Sequence, residues 1–290
     1  MTTLGKLKPA VNAALYARIR AFWFDGLPSD APAPPPELLQ RWMGGSSADD
    51  KAQFDRKCRD GFGAALDALG PAHLPLPALA ATPTWAAERS AAESLVAPLL
   101  ADEEAFPRET SPEAAATTAQ NAIALTLLLD QMPRNVFRDR AAAVAYSHYD
   151  RLARAVTHHF LGRGTAGRPD QEAGVRHRPG LRMWLYMPLM HSEWQEDHRL
   201  LLELARELQE DSAAEDDKDG SARQYADKFA HFVGAHEEIV RRFGRFPHRN
   251  DALDRESTEE ELKYLRKGGE TFGTKSEDKG DRDSKDGSGL

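Results

Sequence analysis

Apolar residues recur along most of the chain at spacings of three and four, the period of a helix with one buried face. Between Val11 and Phe24, Leu15, Ile19 and Phe22 keep that spacing, with Trp23 beside them. Ala48 to Leu69 repeats it with Phe54, Phe62, Leu66 and Leu69. Cys58 falls on the same stripe, which predicts a small core residue rather than a nucleophile. A further helix is predicted from Trp85 to about Phe106, weakened by Pro98. Ser111 offers a cap with Pro112 at the first helical position, and Ala122 to Leu129 is apolar nearly all round, as a central buried helix should be. Asp139 is placed to cap the next helix, which should end near Leu161 before Gly162. Ser192 with Gln195, and Ser257 with Glu260, have the spacing of capping boxes. Ser221 to Phe243 is long and amphipathic, and Gly244 suits its left-handed terminus. Alternating β-branched runs are absent, so the pattern predicts an all-α fold.

Two proline runs, Pro28 to Pro36 and Pro71 to Pro83, punctuate this pattern and cannot be helical inside. Gly162 to Gly180 reads as a long loop, and Asp211 to Ser221 as an acidic exposed one. From about Lys275 the chain alternates charge with Gly and Ser, which predicts a disordered tail. The expected organisation is one helical domain over residues 1–273 and a charged tail over 274–290.

Composition narrows the class. A single cysteine among 290 residues excludes an internal disulfide framework. No apolar run approaches the ~20 residues of a membrane span, and the start lacks a signal peptide's pattern. A cytoplasmic protein without a membrane partner is expected. The net charge of −8 disfavours nucleic acid as a partner.

Three segments place polar residues in apolar company. In the first, Leu127 to Arg138, Pro133 disfavours helix at Met132 and puts Asp130 in the last turn of a buried helix. A carboxylate there faces the negative end of the helix dipole and needs a cation, for which Arg134 and Arg138 are the near candidates. In the second, Arg182 to Glu193, Arg182 and Tyr186 share a helical face, Ser192 and Glu193 suit a helix start, and His191 has no such structural explanation. In the third, Arg241 to Asn250, four arginines and His248 occur without an acid, and Phe243, Phe246 and Pro247 anchor the turn. Guanidinium forks match carboxylate and phosphate oxygens, so an anion site is physically reasonable. Each segment also has a structural reading, in which the arginines pair with buried Asp130 and Glu193 and the Pro-Arg-Asn echoes at Pro133 and Pro247 make helix corners.

These strings, L-L-L-D-Q-M-P-R-N-V-F-R, Y-M-P-L-M-H-S-E and R-R-F-G-R-F-P-H-R-N, resemble the family named domain of unknown function 924. The similarity includes Phe22-Trp23-Phe24, Trp42, Phe54-Asp55, the helix of His236 and Ser257-Thr258 with Glu260, and covers most of residues 11–273. The resemblance implies a tetratricopeptide-like α/α superhelical arrangement and no established activity. Where the family pattern usually has Phe, Gly and Gly, this chain has Met132, Asp139 and Asp254, and Met190 stands where Glu is common.

The expected function is binding of a small anionic ligand or an acidic peptide end in an Arg/His-lined pocket. Arg134, Arg138, Arg182, Arg245, His248 and Arg249 are the anion-binding candidates, with Tyr186 and His191 giving orientation. The alternative is a hydrolase-type enzyme in which His191 and Asp130 serve as general acid or base and the arginines steady an anion. A third reading is a scaffold whose motif residues form buried networks. There is no phosphate loop, dinucleotide fingerprint, H-E-x-x-H or paired-Cys spacing, so no cofactor or metal is expected. A metal-dependent variant would have to draw His191, Glu193, His236, His248 and Asp130 together from distant helices.

Overall fold

The computed structural model describes residues 7–272 apart from 30, 32, 43–46, 79–83, 109–110, 163–166 and 214–218. The expected tail at 274–290 lies outside the described residues. No strand occurs among those described. The longer helices are α1 (Ala13–Trp23), α2 (Pro36–Trp42), α3 (Ala48–Leu69), α4 (Trp85–Leu100), α5 (Pro112–Val136) and α6 (Asp150–Leu161). After them come the short α7 (Ala173–Arg176), α8 (Pro179–Arg182) and α9 (Met187–Met190), then α10 (Gln195–Asp211), α11 (Ser221–Phe243) and α12 (Glu259–Arg266).

The α5 helix is the axis of the fold. Residues Asn121 to Pro133 are all buried, and α1, α3 and α6 pack around them. The α4 helix packs on α6, and α10 pairs with α11. One apolar core runs from Leu7 to Val233, and a smaller one joins Ile239, Val240 and Phe246. Cys58 belongs to the large core, and burial and then Asp55 push its thiol up to about 12, so it stays protonated. The Phe22-Trp23-Phe24 string contributes an aromatic corner, with Trp23 and Trp42 each edge-on to Trp184 at 5.2 and 4.9 Å.

Several boundaries depart from the sequence pattern. Pro133 does not end α5, which continues to Val136. Proline removes the one backbone donor that Leu129 O would receive; the Arg134 and Asn135 side chains add bonds to the next two carbonyls, Asp130 O and Gln131 O, at 2.8 and 2.9 Å, and Phe137 N donates to Pro133 O at 2.8 Å. Asp130 is therefore inside the helix rather than in its last turn. The Gly162–Gly180 segment is no simple loop, because Pro169–Gln171 forms a tight turn and α7 begins at Ala173. The acidic stretch starts later than Asp211, the last residue of α10. Ser192 does not cap α10; Trp194 is the cap residue, and Ser192 Oγ donates to Asp197 instead. The final capping box is Thr258 with Glu261, one position beyond the Ser257–Glu260 pair. Asp139 caps nothing. It has φ 53°, and Asp254 has φ 50°. Both stand in the left-handed region that favours glycine, which explains why glycine is usual there in the resembled pattern.

Candidate functional site

The motif residues separate into distinct networks. In the first, Arg182 is fully buried and donates Nε to Tyr186 Oη at 2.6 Å and Nη1 to Asp211 Oδ2 at 2.5 Å. Tyr186 Oη donates a hydrogen bond to Asp170 Oδ2 at 2.6 Å, and Arg168 grips the same carboxylate with two bonds. Two carboxylates, Asp170 and Asp211, thus answer Arg182 and Arg168 inside the α8–α10 contact. Arg182 and Tyr186 belong to this network and not to an open anion pocket. Arg138 donates twice to Asp55, at 2.9 and 2.5 Å. Arg245 donates twice to Glu261, at 2.6 and 2.8 Å, and ties α12 to the end of α11. None of these four expected ligand-binding residues joins Arg134, His191, His248 or Arg249, because each has an internal partner close by.

A further structural centre was not signalled by the motifs. Asp197 is fully buried and receives Trp85 Nε1 at 2.9 Å, His158 Nε2 at 2.7 Å, Ser192 Oγ at 2.6 Å and Arg154 Nε. Burial opposes its ionisation, but His158 and Arg154 outweigh that and hold the carboxyl well below the usual range. It joins α4, α6 and the start of α10.

The remaining candidates do converge. From α5, Asp130 is fully buried and accepts His191 Nδ1 at 2.7 Å and Gln131 Nε2 at 2.6 Å. Burial opposes ionisation of Asp130, but His191 and Arg134 outweigh it and lower the carboxyl to about 2. Arg134 grips Asp150 at the start of α6 with bonds of 2.6 and 3.0 Å. Arg249 approaches the same Asp150 at 3.4 Å, and its guanidinium lies 4.6 Å from the Tyr146 ring and 4.5 Å from that of Phe246. Tyr146 comes from a wide π-type turn, Ala145–Tyr149, that feeds α6. Two arginines and two aspartates balance in charge.

Histidines complete a nest beside this pair. The ring of His191 lies 6.5 Å from that of His236, and His198, His236 and His248 lie 6.3, 5.8 and 5.5 Å from Phe246. Gly244, at φ 69°, closes α11 and brings Phe246 N to Glu193 Oε1 at 2.9 Å. Arg255 grips that glutamate from the far side at 2.7 and 3.0 Å. Glu193 thus fixes the turn rather than opening a helix. Burial holds all four imidazoles neutral: His236 falls to about 2 and His248 to about 3, while His191 and His198 are also lowered.

Tautomers follow from the hydrogen bonds. His191 gives its Nδ1 proton to Asp130, and His236 gives its Nδ1 proton to Phe232 O at 2.7 Å, so the Nε2 of each carries a lone pair. His198 directs Nε2 at Ser192 O at 2.8 Å, leaving Nδ1 buried without a partner. His248 Nδ1 and Arg249 Nε are likewise buried without a partner. The side chain of His191 is 13% exposed whereas Asp130 is fully buried, the arrangement of a base presented to the surface by a hidden carboxylate. Among the described residues, no group of three or more His, Cys, Asp or Glu could hold a metal ion.

The nest thus contains Asp130, Arg134, His191, His248 and Arg249 from the sequence motifs. It adds Asp150, Tyr146, His198 and Phe272, which the motifs did not indicate, and places His236 beside His191 and Phe272. Asp150 could have been found by charge counting, since the arginine-rich turn contains no acid of its own.

Fold and site define an all-helical protein built around an internal carboxylate–imidazole nest. The chain belongs to the family described as bacterial protein of unknown function (DUF924), whose profile matches residues 19–269. Its fold is similar to the solved structure of a protein of unknown function, ATU0120, from Agrobacterium tumefaciens. The two are 28% identical, the match covers 88% of this chain and 99% of that one, and the TM-score is 0.51. No curated protein matches the chain. No described helix is long and apolar enough to cross a membrane.

Proposed function

We propose that this protein is an acid–base enzyme of hydrolase type, with His191 as the proton-transfer group and Asp130 as its positioning residue. The carrying observation is the 2.7 Å bond from His191 Nδ1 to the fully buried Asp130 carboxylate. It fixes the tautomer that leaves Nε2 free to accept a proton from water or a substrate hydroxyl. When Nε2 takes that proton, the ionised Asp130 stabilises the imidazolium that forms. Burial keeps His191 below its ordinary value, so the base form prevails at neutral pH. This reading places the substrate where the His191 side chain reaches the surface, and not on the concave face that a tetratricopeptide-like arrangement would offer.

One observation supports an anionic ligand as well: Arg249 Nε is buried without a partner beside the imidazoles. A carboxylate or phosphate oxygen there would satisfy it. Arg134, Arg138, Arg182 and Arg245 are bonded to Asp150, Asp55, Asp211 and Glu261, and Arg249 reaches Asp150 only through Nη1 at 3.4 Å, so anion binding on this reading rests on Arg249 Nε.

The test is hydrolysis of ester, amide and phosphoester panels by the wild type, His191→Gln and Asp130→Asn. The wild type should turn over one of these classes with an acid limb below pH 6.5, and His191→Gln should lower kcat/KM by about 10²–10⁴-fold. A folded His191→Gln protein with unchanged kcat/KM, or a wild type inert to all three panels, would reject the reading. An anionic-metabolite thermal-shift screen with Arg249→Ala tests the second: binding that survives the substitution would reject it.

A further inference from the structure

The outer wall of the nest is made by a return of the chain after α12. Gly268 adopts φ 76°, and Gly269 packs so closely under Tyr264 that an added Cβ would lie 2.4 Å from its ring. Gly269 N donates to Tyr264 O at 3.0 Å and fixes the reversal. Tyr264 in turn rests against Phe243 at 5.1 Å, which anchors the turn on α11. A Cβ at 269 would clash with Tyr264, and the positive φ at 268 strains any residue but glycine, so the two glycines encode the path.

The path delivers Phe272 onto His236. The two rings stack at 3.5 Å and 12°. Phe246 and His248 present themselves nearly edge-on to the same ring, at 6.4 Å and 88° and at 6.0 Å and 75°. These contacts describe a slot one flat ring thick, with a face on one side and two edges around it. Its occupant is held uneasily. Phe272 has φ 50°, a backbone conformation that a residue with a large side chain adopts at a cost, and it is only half-buried. An occupant that is strained and half-exposed is one that a better-fitting ring can displace.

We propose that this slot is a binding site for the flat ring of a hydroxyl-bearing aromatic ligand, filled by Phe272 of the same chain until that ligand displaces it. The proposal extends the acid–base reading by naming the substrate class of the same site. The ring of His191 lies 6.5 Å from that of His236, and its Nε2 lone pair is the acceptor that the proposal assigns to the ligand's hydroxyl. Flatness is set by the stacking wall of His236, and the hydroxyl by the lone pairs that His191 and His236 carry at Nε2.

The test follows modification of His236 and His191 by diethyl pyrocarbonate, resolved by peptide mapping, in the full-length wild type, Phe272→Ala and Gly269→Ala. Unfolding temperature verifies that each protein is folded. Both variants should raise the His236 rate by about tenfold, because both remove the ring that covers it. Gly269→Ala keeps every side chain of the slot and carries the readout if Phe272→Ala does not fold. Phenol should then restore protection of His236 in Phe272→Ala, and cyclohexanol, with the same hydroxyl on a puckered ring, should not. An unchanged His236 rate in the folded variants would overturn the proposal, as would equal protection by the two alcohols. Phenol protection alongside a His191→Gln enzyme of full activity would leave the slot standing and reject the acid–base reading, so the two fail separately.

Discussion

Lowering the pH from 7 to 5 offers protons to the histidines of the unfolded chain that the folded chain refuses. Burial lowers His236 to about 2 and His248 to about 3, against an ordinary value of 6.5. The folded values lie below the unfolded one, so the unfolded state binds more protons and stability falls as the pH falls. The contribution is complete above pH 6.5 and is lost steadily below it. At about 1.4 kcal/mol per proton and pH unit, each of the two costs about 2 kcal/mol between pH 7 and 5. Together they remove about 4 kcal/mol, a large share of the ~5–15 kcal/mol that stabilises an ordinary domain. His191 and His198, also lowered, add in the same direction. Urea unfolding followed by circular dichroism at pH 7, 6 and 5 measures the loss directly. His236→Gln should lose about 2 kcal/mol less than the wild type over that range, since one of the refused protons is gone. Equal stability at pH 7 and 5, or an unchanged pH slope in His236→Gln, would refute the claim that the nest holds neutral imidazoles.

Three other outcomes are expected. Asp130→Asn removes the carboxylate that burial opposes but His191 and Arg134 lower to about 2, and should cost about 2 kcal/mol at pH 7. That deficit should shrink by about 1 kcal/mol at pH 3, because the stability a lowered carboxyl confers is lost as pH falls toward its folded value. Arg182→Ala removes the buried guanidinium from Tyr186 and Asp211, with Arg168 and Arg176 still bonded to Asp170 and Asp211, and should destabilise by about 1–3 kcal/mol in urea titration while leaving the His191 modification rate untouched. Asp254→Val should cost about 1–2 kcal/mol, and Asp254→Gly should be tolerated, because φ 50° penalises a branched side chain; thermal unfolding separates them.

Helical periodicity was enough to read the class of fold, since α3, α5 and α11 show their buried faces directly in the spacing of apolar residues. Ends were less legible. At Pro133 the local rule failed because the proline removes only the donor to Leu129 O, while the next two side chains, Arg134 and Asn135, add bonds to the carbonyls of Asp130 and Gln131 and hold the last turn. At Asp139 and Asp254 the residue type concealed a left-handed backbone, for which the glycine usual there in the resembled pattern was the sole signal. Site residues divide by partner. His191, Asp130, Arg134, His248 and Arg249 meet as their apolar surroundings suggested. Arg138, Arg182 and Arg245 do not, because the acids that answer them, Asp55, Asp211 and Glu261, lie far off in sequence or in another helix. Phe272 carries no motif at all, and its role follows from the turn at Gly268 and Gly269.

The most direct measurement is the protonation of His191 at pH 7 by two-bond ¹H–¹⁵N spectroscopy, assigned by the signal missing in His191→Gln. The account predicts a neutral ring protonated at Nδ1 and bare at Nε2, persisting as the pH is lowered through 6.5. An imidazolium at pH 7, or a neutral ring carrying its proton on Nε2, would contradict it.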